Sequence, residues 1–150
     1  MLEDFIEVNG LKAKIIPLKR AVSTVREAEA ALGVKASEII KSLLFFDSEN
    51  EPLIAIVAGN KKVDTKKLCE AAKTQGVRLA EPKEILEVTG YEVGALPPVS
   101  VYGVRIFLDK ELKEKELVYG GGGKKDCLLS IPIKEIIEFN EKIFVEEISQ

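Results

Sequence analysis

The sequence predicts one α+β domain, mixed in its strand and helix order, and three observations carry that reading. The chain has 150 residues, 46% of them hydrophobic and 31% charged, which is the size and composition of one compact core. Its apolar runs fall sometimes at strand spacing and sometimes at helical spacing. They lack the regular alternation that builds a doubly wound parallel sheet. No linker, repeat or low-complexity stretch divides residues 1–150, apart from four consecutive glycines at 120–123.

Each element follows from its own residues. Leu2, Phe5 and Ile6 lie at helical spacing before Asn9-Gly10, so Leu2 to Val8 is a first short helix. Ala13 to Leu18 is β-branched at its centre and reads as a strand ended by Lys19-Arg20. Ser23 or Thr24 then caps a helix reaching Leu32, with Glu27 three residues after Thr24 as in a capping box and Gly33 as the stop. Ile39 to Phe46 and Pro52 to Ala58 are almost wholly apolar and form two central strands of a hairpin around the polar segment Asp47 to Glu51. Asp64 caps a helix from Thr65 to Lys73, closed by Gly76, and Val77 to Leu79 is a brief strand. Glu81-Pro82 opens another helix, which ends at Thr89-Gly90. Gly90 to Pro98 is a loop. Val101 to Leu108, Leu117 to Tyr119 and Cys127 to Ile131 read as strands, Pro132 to Phe139 as a helix and Ile143 to Ile148 as a terminal strand.

Composition removes several kinds of chemistry. The chain contains 0 His, which excludes Ser-His-Asp and Cys-His catalysis and histidine zinc sites. Its 22 basic residues against 25 acidic ones give a net charge of -3, too acidic to coat duplex DNA by bulk electrostatics, so no DNA partner is expected. No apolar run approaches the ~18 residues that would span a bilayer, and acids stand where a secretory signal would be basic. A soluble, cytoplasmic protein without a membrane partner is expected. Cys69 and Cys127 are far apart and form no C-x-x-C pair, so they read as small buried apolar residues, with no metal and no cofactor expected.

Lys41 is the residue that needs explaining. It shares a strand face with Ile39, Leu43 and Phe45, and a buried cation without a partner is costly. Either it snorkels out near the strand start or it points into a cavity that holds an anion. Two glycine segments could help to build such a cavity. Gly94 to Pro98 is a G-x-x-x-P stretch whose glycine admits a ligand to the backbone while the prolines stiffen the loop. Gly120 to Gly123, followed by Lys124-Lys125, can present successive N–H groups to an anion. Glycine-rich turns are also ordinary structural features, and neither segment matches the phosphate-cradling P-loop, G-x-x-x-x-G-K-S/T, or the dinucleotide fingerprint. Lys61-Lys62 and Lys66-Lys67 read as a solvated helix approach, with nucleic-acid contact the lesser alternative.

The motifs in sequence are Thr24-Val25-Arg26-Glu27-Ala28-Glu29-Ala30-Ala31-Leu32-Gly33, Ile40-Lys41-Ser42-Leu43-Leu44-Phe45, Val57-Ala58-Gly59 and Thr89-Gly90-Tyr91-Glu92-Val93-Gly94-Ala95-Leu96-Pro97-Pro98. Together they resemble the YbaK family, the free-standing relatives of the editing domain inserted in bacterial prolyl-tRNA synthetases. The resemblance covers nearly the whole chain. It implies a largely antiparallel, barrel-like mixed sheet flanked by short helices, and hydrolysis in trans of aminoacyl-tRNA wrongly charged with an amino acid of the Cys, Ala, Ser or Thr class. The partners it implies are the acceptor 3′ end of aminoacyl-tRNA and, as a second candidate, an aminoacyl-tRNA synthetase. It assigns Lys41 to the phosphate of the 3′-terminal nucleotide and Gly94 to the aminoacyl carbonyl. The further substrate-binding positions it implies are Thr24, Ala58, Gly59, Gly90, Tyr91, Ala95, Gly121, Gly122, Gly123 and Asp126. Alanine-removing members carry a histidine near Gly120 to Asp126 and this chain has none, so the resemblance sets Asp126 where the cysteine-removing branch has an acid. A non-catalytic module for the acceptor end or a small nucleotide, and an esterase for other aminoacyl or nucleotide esters, are the competing readings.

Overall fold

The computed structural model describes residues 1–150. Its elements run α1 (Leu2–Asn9), β1 (Lys14–Pro17), α2 (Val25–Leu32), β2 (Ile40–Asp47), β3 (Pro52–Ala58), α3 (Thr65–Ala72), β4 (Val77–Leu79), α4 (Pro82–Thr89), β5 (Arg105–Asp109), β6 (Leu117–Gly121), β7 (Cys127–Pro132), α5 (Ile133–Glu138) and β8 (Ile143–Glu146). Short 3₁₀ turns add Ala36–Glu38 before β2 and Lys110–Glu114 after β5.

The strands form two sheets. One has three antiparallel strands in the order β1-β7-β6, and the other has five in the order β4-β2-β3-β5-β8. In the larger sheet β4, β2 and β3 pair antiparallel, whereas β3, β5 and β8 pair parallel. The sheets share one isolated backbone bridge, between Ile39 and Tyr119, and do not close into a barrel. This corrects the expectation of a barrel, whereas the largely antiparallel, mixed pairing is as expected: four of the six strand pairs are antiparallel. The α3-β4-α4 excursion returns the chain beside β3 in β3's own direction, and only such a long crossover allows a parallel pair.

The near-continuous apolar character of β2 and β3 reflects burial on both faces. Ile40, Leu44, Ile54 and Ile56 face the main core with Val118, Leu129 and Ile131 of the smaller sheet and Ile136 of α5. Phe45, Leu53, Ala55 and Val57 face the other way, onto Leu68 and Ala72 of α3 and onto Ile148. No helix is long and apolar enough to cross a membrane.

Several boundaries differ from expectation for local reasons. Lys73, at φ 57°, takes the left-handed position that ends α3 and its N–H donates to the Cys69 carbonyl, so Gly76 does not close that helix. The strand expected from Val101 begins only at Arg105, because Ser100 at φ 69° and Gly103 at φ 72° bend the chain before it. β6 runs on into the glycines as far as Gly121, paired with Leu128. α5 begins after Pro132, and β8 ends at Glu146.

Candidate functional site

The site is built around the part of β2 that its neighbours leave open. β4 pairs with β2 only from Phe45 to Asp47, so Ile40 to Leu44 form one wall of a cleft of about 380 Å³. The start of α2 supplies Ser23, Thr24 and Val25, the loop after α4 supplies Val93, Gly94 and Leu96, and β6 supplies Gly120 and Gly121. Leu79, Ala80 and Ile85 close the remaining side. Thr24 caps α2: its hydroxyl accepts the Glu27 N–H at 3.1 Å and donates to the Glu27 carboxylate. The Ser23 N–H and hydroxyl also donate to that carboxylate, and the Ser23 N–H contributes most to holding Glu27 below the usual carboxylate range. The helix entrance is therefore rigid where it meets the cleft.

Lys41 is the one ionisable side chain in the cleft wall. It is half-buried, and its ammonium donates to the Lys61 carbonyl. It takes part in none of the chain's ion pairs. Burial, and after it the charge of nearby Lys62, hold the ammonium below the ordinary lysine value. Within the protein the positive charge meets one neutral carbonyl and no carboxylate.

The Gly94 loop supplies donors. Gly94 adopts φ 84°, the left-handed region that favours glycine. The Ala95 N–H donates to the Glu92 carbonyl at 3.0 Å, whereas the N–H groups of Gly94 and Leu96 donate to no atom of the protein. Two unengaged amides therefore border a mostly apolar cleft that also holds a cation. Such a site can bind a carbonyl or an oxyanion together with an anion.

The structure brings together Lys41, Gly94, Thr24 and Gly121 in the cleft lining, which the other predicted positions do not join. Ala58 lies on β3 opposite Ile40. The Gly59 N–H donates to the Ile39 carbonyl, and a Cβ there would come 2.8 Å from the Ala36 carbonyl oxygen. Gly90 ends α4 at φ 78°. Tyr91 is buried, its hydroxyl donates to Ser100 Oγ at 3.0 Å, and burial pushes its pKa up. The Ala95 carbonyl accepts the Gly123 N–H at 2.9 Å. Asp126 is exposed, its carboxylate meets the Cys127 thiol at 3.7 Å, and its main-chain carbonyl accepts the Leu18 N–H.

The glycine run has a packing reason that the anion-presenting reading lacked. A Cβ on Gly121 would lie 2.3 Å from the Leu96 carbonyl oxygen, and one on Gly122 would lie 2.6 Å from the Cys127 carbonyl carbon. These glycines let the Ala95-Leu96 backbone and the β6-β7 turn come close. Sequence reasoning did not find Ser42 and Leu96, because an open strand edge and an unengaged amide are properties of pairing rather than of residue type. A second cavity, of about 410 Å³, lies among α1, the Ser100 to Val104 loop and the end of α5, and contains none of the predicted positions.

Residues 19–139 match the protein family described as the aminoacyl-tRNA editing domain. An uncharacterized protein, YwhH of Bacillus subtilis, is 31% identical over 128 residues, covering 83% of this chain and 80% of that protein. The proline–tRNA ligase of Nitratidesulfovibrio vulgaris (strain Hildenborough) is 36% identical over 107 residues, which are 71% of this chain but 18% of the ligase. The chain therefore spans less than a fifth of that enzyme. Among solved structures, the hypothetical protein APE2540 superposes with a TM-score of 0.92 at 33% identity, covering 99% of both chains. A protein described as a candidate trans-editing enzyme for prolyl-tRNA synthetase superposes with a TM-score of 0.88 at 26% identity, covering 99% of this chain and 94% of that one.

Proposed function

Because this chain belongs to the aminoacyl-tRNA editing domain family, we propose that it is a free-standing hydrolase that removes a small, wrongly attached amino acid of the Cys, Ala, Ser or Thr class from tRNA. The observation that carries this reading is the pairing, in one apolar cleft, of an ammonium without a carboxylate partner and amides without acceptors. Lys41 binds the phosphate of the tRNA's terminal nucleotide. The Gly94 and Leu96 N–H groups receive the aminoacyl carbonyl oxygen as negative charge develops on it.

An aminoacyl-tRNA is an activated ester, so water is a sufficient nucleophile once it is placed. Water adds to the carbonyl carbon, the bond to the ribose oxygen breaks, and that oxygen leaves with a proton as a hydroxyl. The only ionisable side chain in the wall is a lysine, and an ammonium is a poor base. The vicinal ribose hydroxyl therefore orients the water. Val25, Ile39, Leu43 and Leu128 narrow the cleft and exclude bulky side chains by clash. That is a stronger filter than the roughly 1 to 3 kcal/mol that one methylene contributes to binding.

The test is to incubate the protein with tRNAs misacylated with Ala, Cys, Ser and Thr, and to follow release of the amino acid. Turnover of one or more of these supports the reading. Binding that protects the ester without releasing it identifies an acceptor-end binding module instead.

A further inference from the structure

β2 carries a short stretch of edge that no strand covers, and the alternation of its backbone shows which residue occupies it. The Asp47 N–H donates to the Glu51 carbonyl and the Gly59 N–H donates to the Ile39 carbonyl. The odd-numbered residues of β2 therefore turn their main-chain groups toward β3, and the even-numbered ones turn theirs the other way. On that second side the Leu44 carbonyl accepts the Ala80 N–H at 2.9 Å, and pairing with β4 continues from Phe45. At the other end Ile40 lies beside the Ile39-Tyr119 bridge to β6. Ser42 sits between these contacts in the cleft wall, with its carbonyl on the uncovered side. An open acceptor on a strand edge takes a partner from whatever enters beside it.

Charge decides what kind of partner suits it. No Asp or Glu lines the cleft, and Lys41 does. An aminoacyl ester carries an α-amino group next to the reacting carbonyl. As an ammonium, that group would be desolvated near a second cation with no carboxylate to offset the cost. As an uncharged amine it is a hydrogen-bond donor, which a main-chain carbonyl can satisfy. We infer that the Ser42 carbonyl accepts a hydrogen bond from the uncharged α-amino group of the ester, so that the cleft reads this group as a donor and not as a cation. The inference rests on the hydrolase reading above and names how that site orients its substrate. One consequence is that an α-hydroxy acid, which offers a neutral donor at the same atom, is accepted in place of the amino acid.

Three esters of one tRNA test this with the protein unaltered: the amino acid that it removes, the matching α-hydroxy acid, and the matching acid with hydrogen at that position. Single-turnover rates with excess protein are each divided by that ester's spontaneous hydrolysis rate, because the α-substituent alters ester reactivity by itself. The α-hydroxy ester is expected within about threefold of the aminoacyl ester. The ester lacking a donor is expected to fall about tenfold or more, as when a carbonyl loses its partner. If the α-hydroxy ester falls as far as the one without a donor, the amine is read by its charge and the inference is overturned. Equal rates for all three overturn it too, because the α-substituent is then not read. In both of those cases turnover of the aminoacyl ester leaves the hydrolase reading standing, whereas no turnover of any ester removes that reading and this inference with it.

Discussion

Two glycine segments border the same cleft and serve it in opposite ways. Gly94 is needed for its conformation: it holds φ 84°, and a Cβ there would meet Ser23 Cα at an ordinary 3.6 Å. Gly121 lies in a regular strand and is needed for its lack of volume, since a Cβ would lie 2.3 Å from the Leu96 carbonyl oxygen. One glycine shapes the loop that presents free amides, and the other seats that loop against the smaller sheet. Glycine in a sequence thus signals either a special backbone angle or a close approach, and the two make different experimental demands.

The largest effect should come from the seat. Gly121→Ala forces the Leu96 backbone away from β6, and overpacking of this kind typically costs about 1–3 kcal/mol. Denaturant unfolding should show that loss, and single-turnover deacylation should nearly vanish because the Gly94 to Leu96 amides move with the loop. Parental stability and rate together would show that this contact does not hold the loop.

Gly94→Ala sharpens the contrast because space is available and only the backbone angle resists. The left-handed conformation costs a non-glycine residue roughly 1–2 kcal/mol. The fold should therefore survive, while a misdirected oxyanion donor lowers the rate by about 100-fold or more. An unchanged melting temperature with an unchanged rate would remove this loop from the chemistry.

Lys41→Met separates the cation from both glycines. Losing a charge-assisted bond to phosphate should lower single-turnover deacylation at least about tenfold. Stability should stay within about 1 kcal/mol of the parent, because the bond to the Lys61 carbonyl is lost while a desolvated charge is removed. Its pH dependence has a definite sign. The folded-state value lies below the ordinary 10.5, chiefly through burial. The charged lysine therefore costs stability at neutral pH, and that cost fades as pH rises through the lowered value toward 10.5. The stability difference between variant and parent should change between pH 7 and that range, in favour of the parent. Wild-type deacylation by a stable variant would return Lys41 to a purely snorkelling role.

Asp126 is the weaker test of the same comparison, because it follows the glycine run without reaching the cleft. Asp126→Asn should change the deacylation rate by less than about twofold, and a larger loss would bring its carboxylate into the site. The smallest effect belongs to the outer wall. The Arg78 guanidinium, bonded to Glu84 through two 2.8 Å contacts, and the Glu81 N–H hold the Glu84 carboxyl down to about 2. A depressed carboxylate contributes stability that is present above the ordinary 4.5 and lost as pH falls toward 2. Glu84→Gln should flatten that part of the acid-unfolding curve only slightly, because the pair lies at the surface, with Arg78 exposed and Glu84 partly so.

Local chemistry made most elements readable. The Thr24-Glu27 cap, the Asp64 cap, proline at the start of α4 and the apolar hairpin of β2 and β3 each depend on neighbours within a few residues. The oddity of Lys41 and the flexibility of Gly94 were legible for the same reason, since a cation in an apolar strand and a glycine before paired prolines violate short-range rules. Long-range pairing decided the remainder. The parallel placement of β5 and β8, the separation of the two sheets and the early end of β4 that leaves Ser42 uncovered all depend on which strand lies beside which. The role of Gly121 was hidden likewise, because the Leu96 carbonyl that excludes its side chain is 25 residues away in sequence and in contact only after folding. Residue types determine what a segment can donate, accept or bury, but only the packed arrangement determines which of those groups are already engaged and which stay free to meet a substrate.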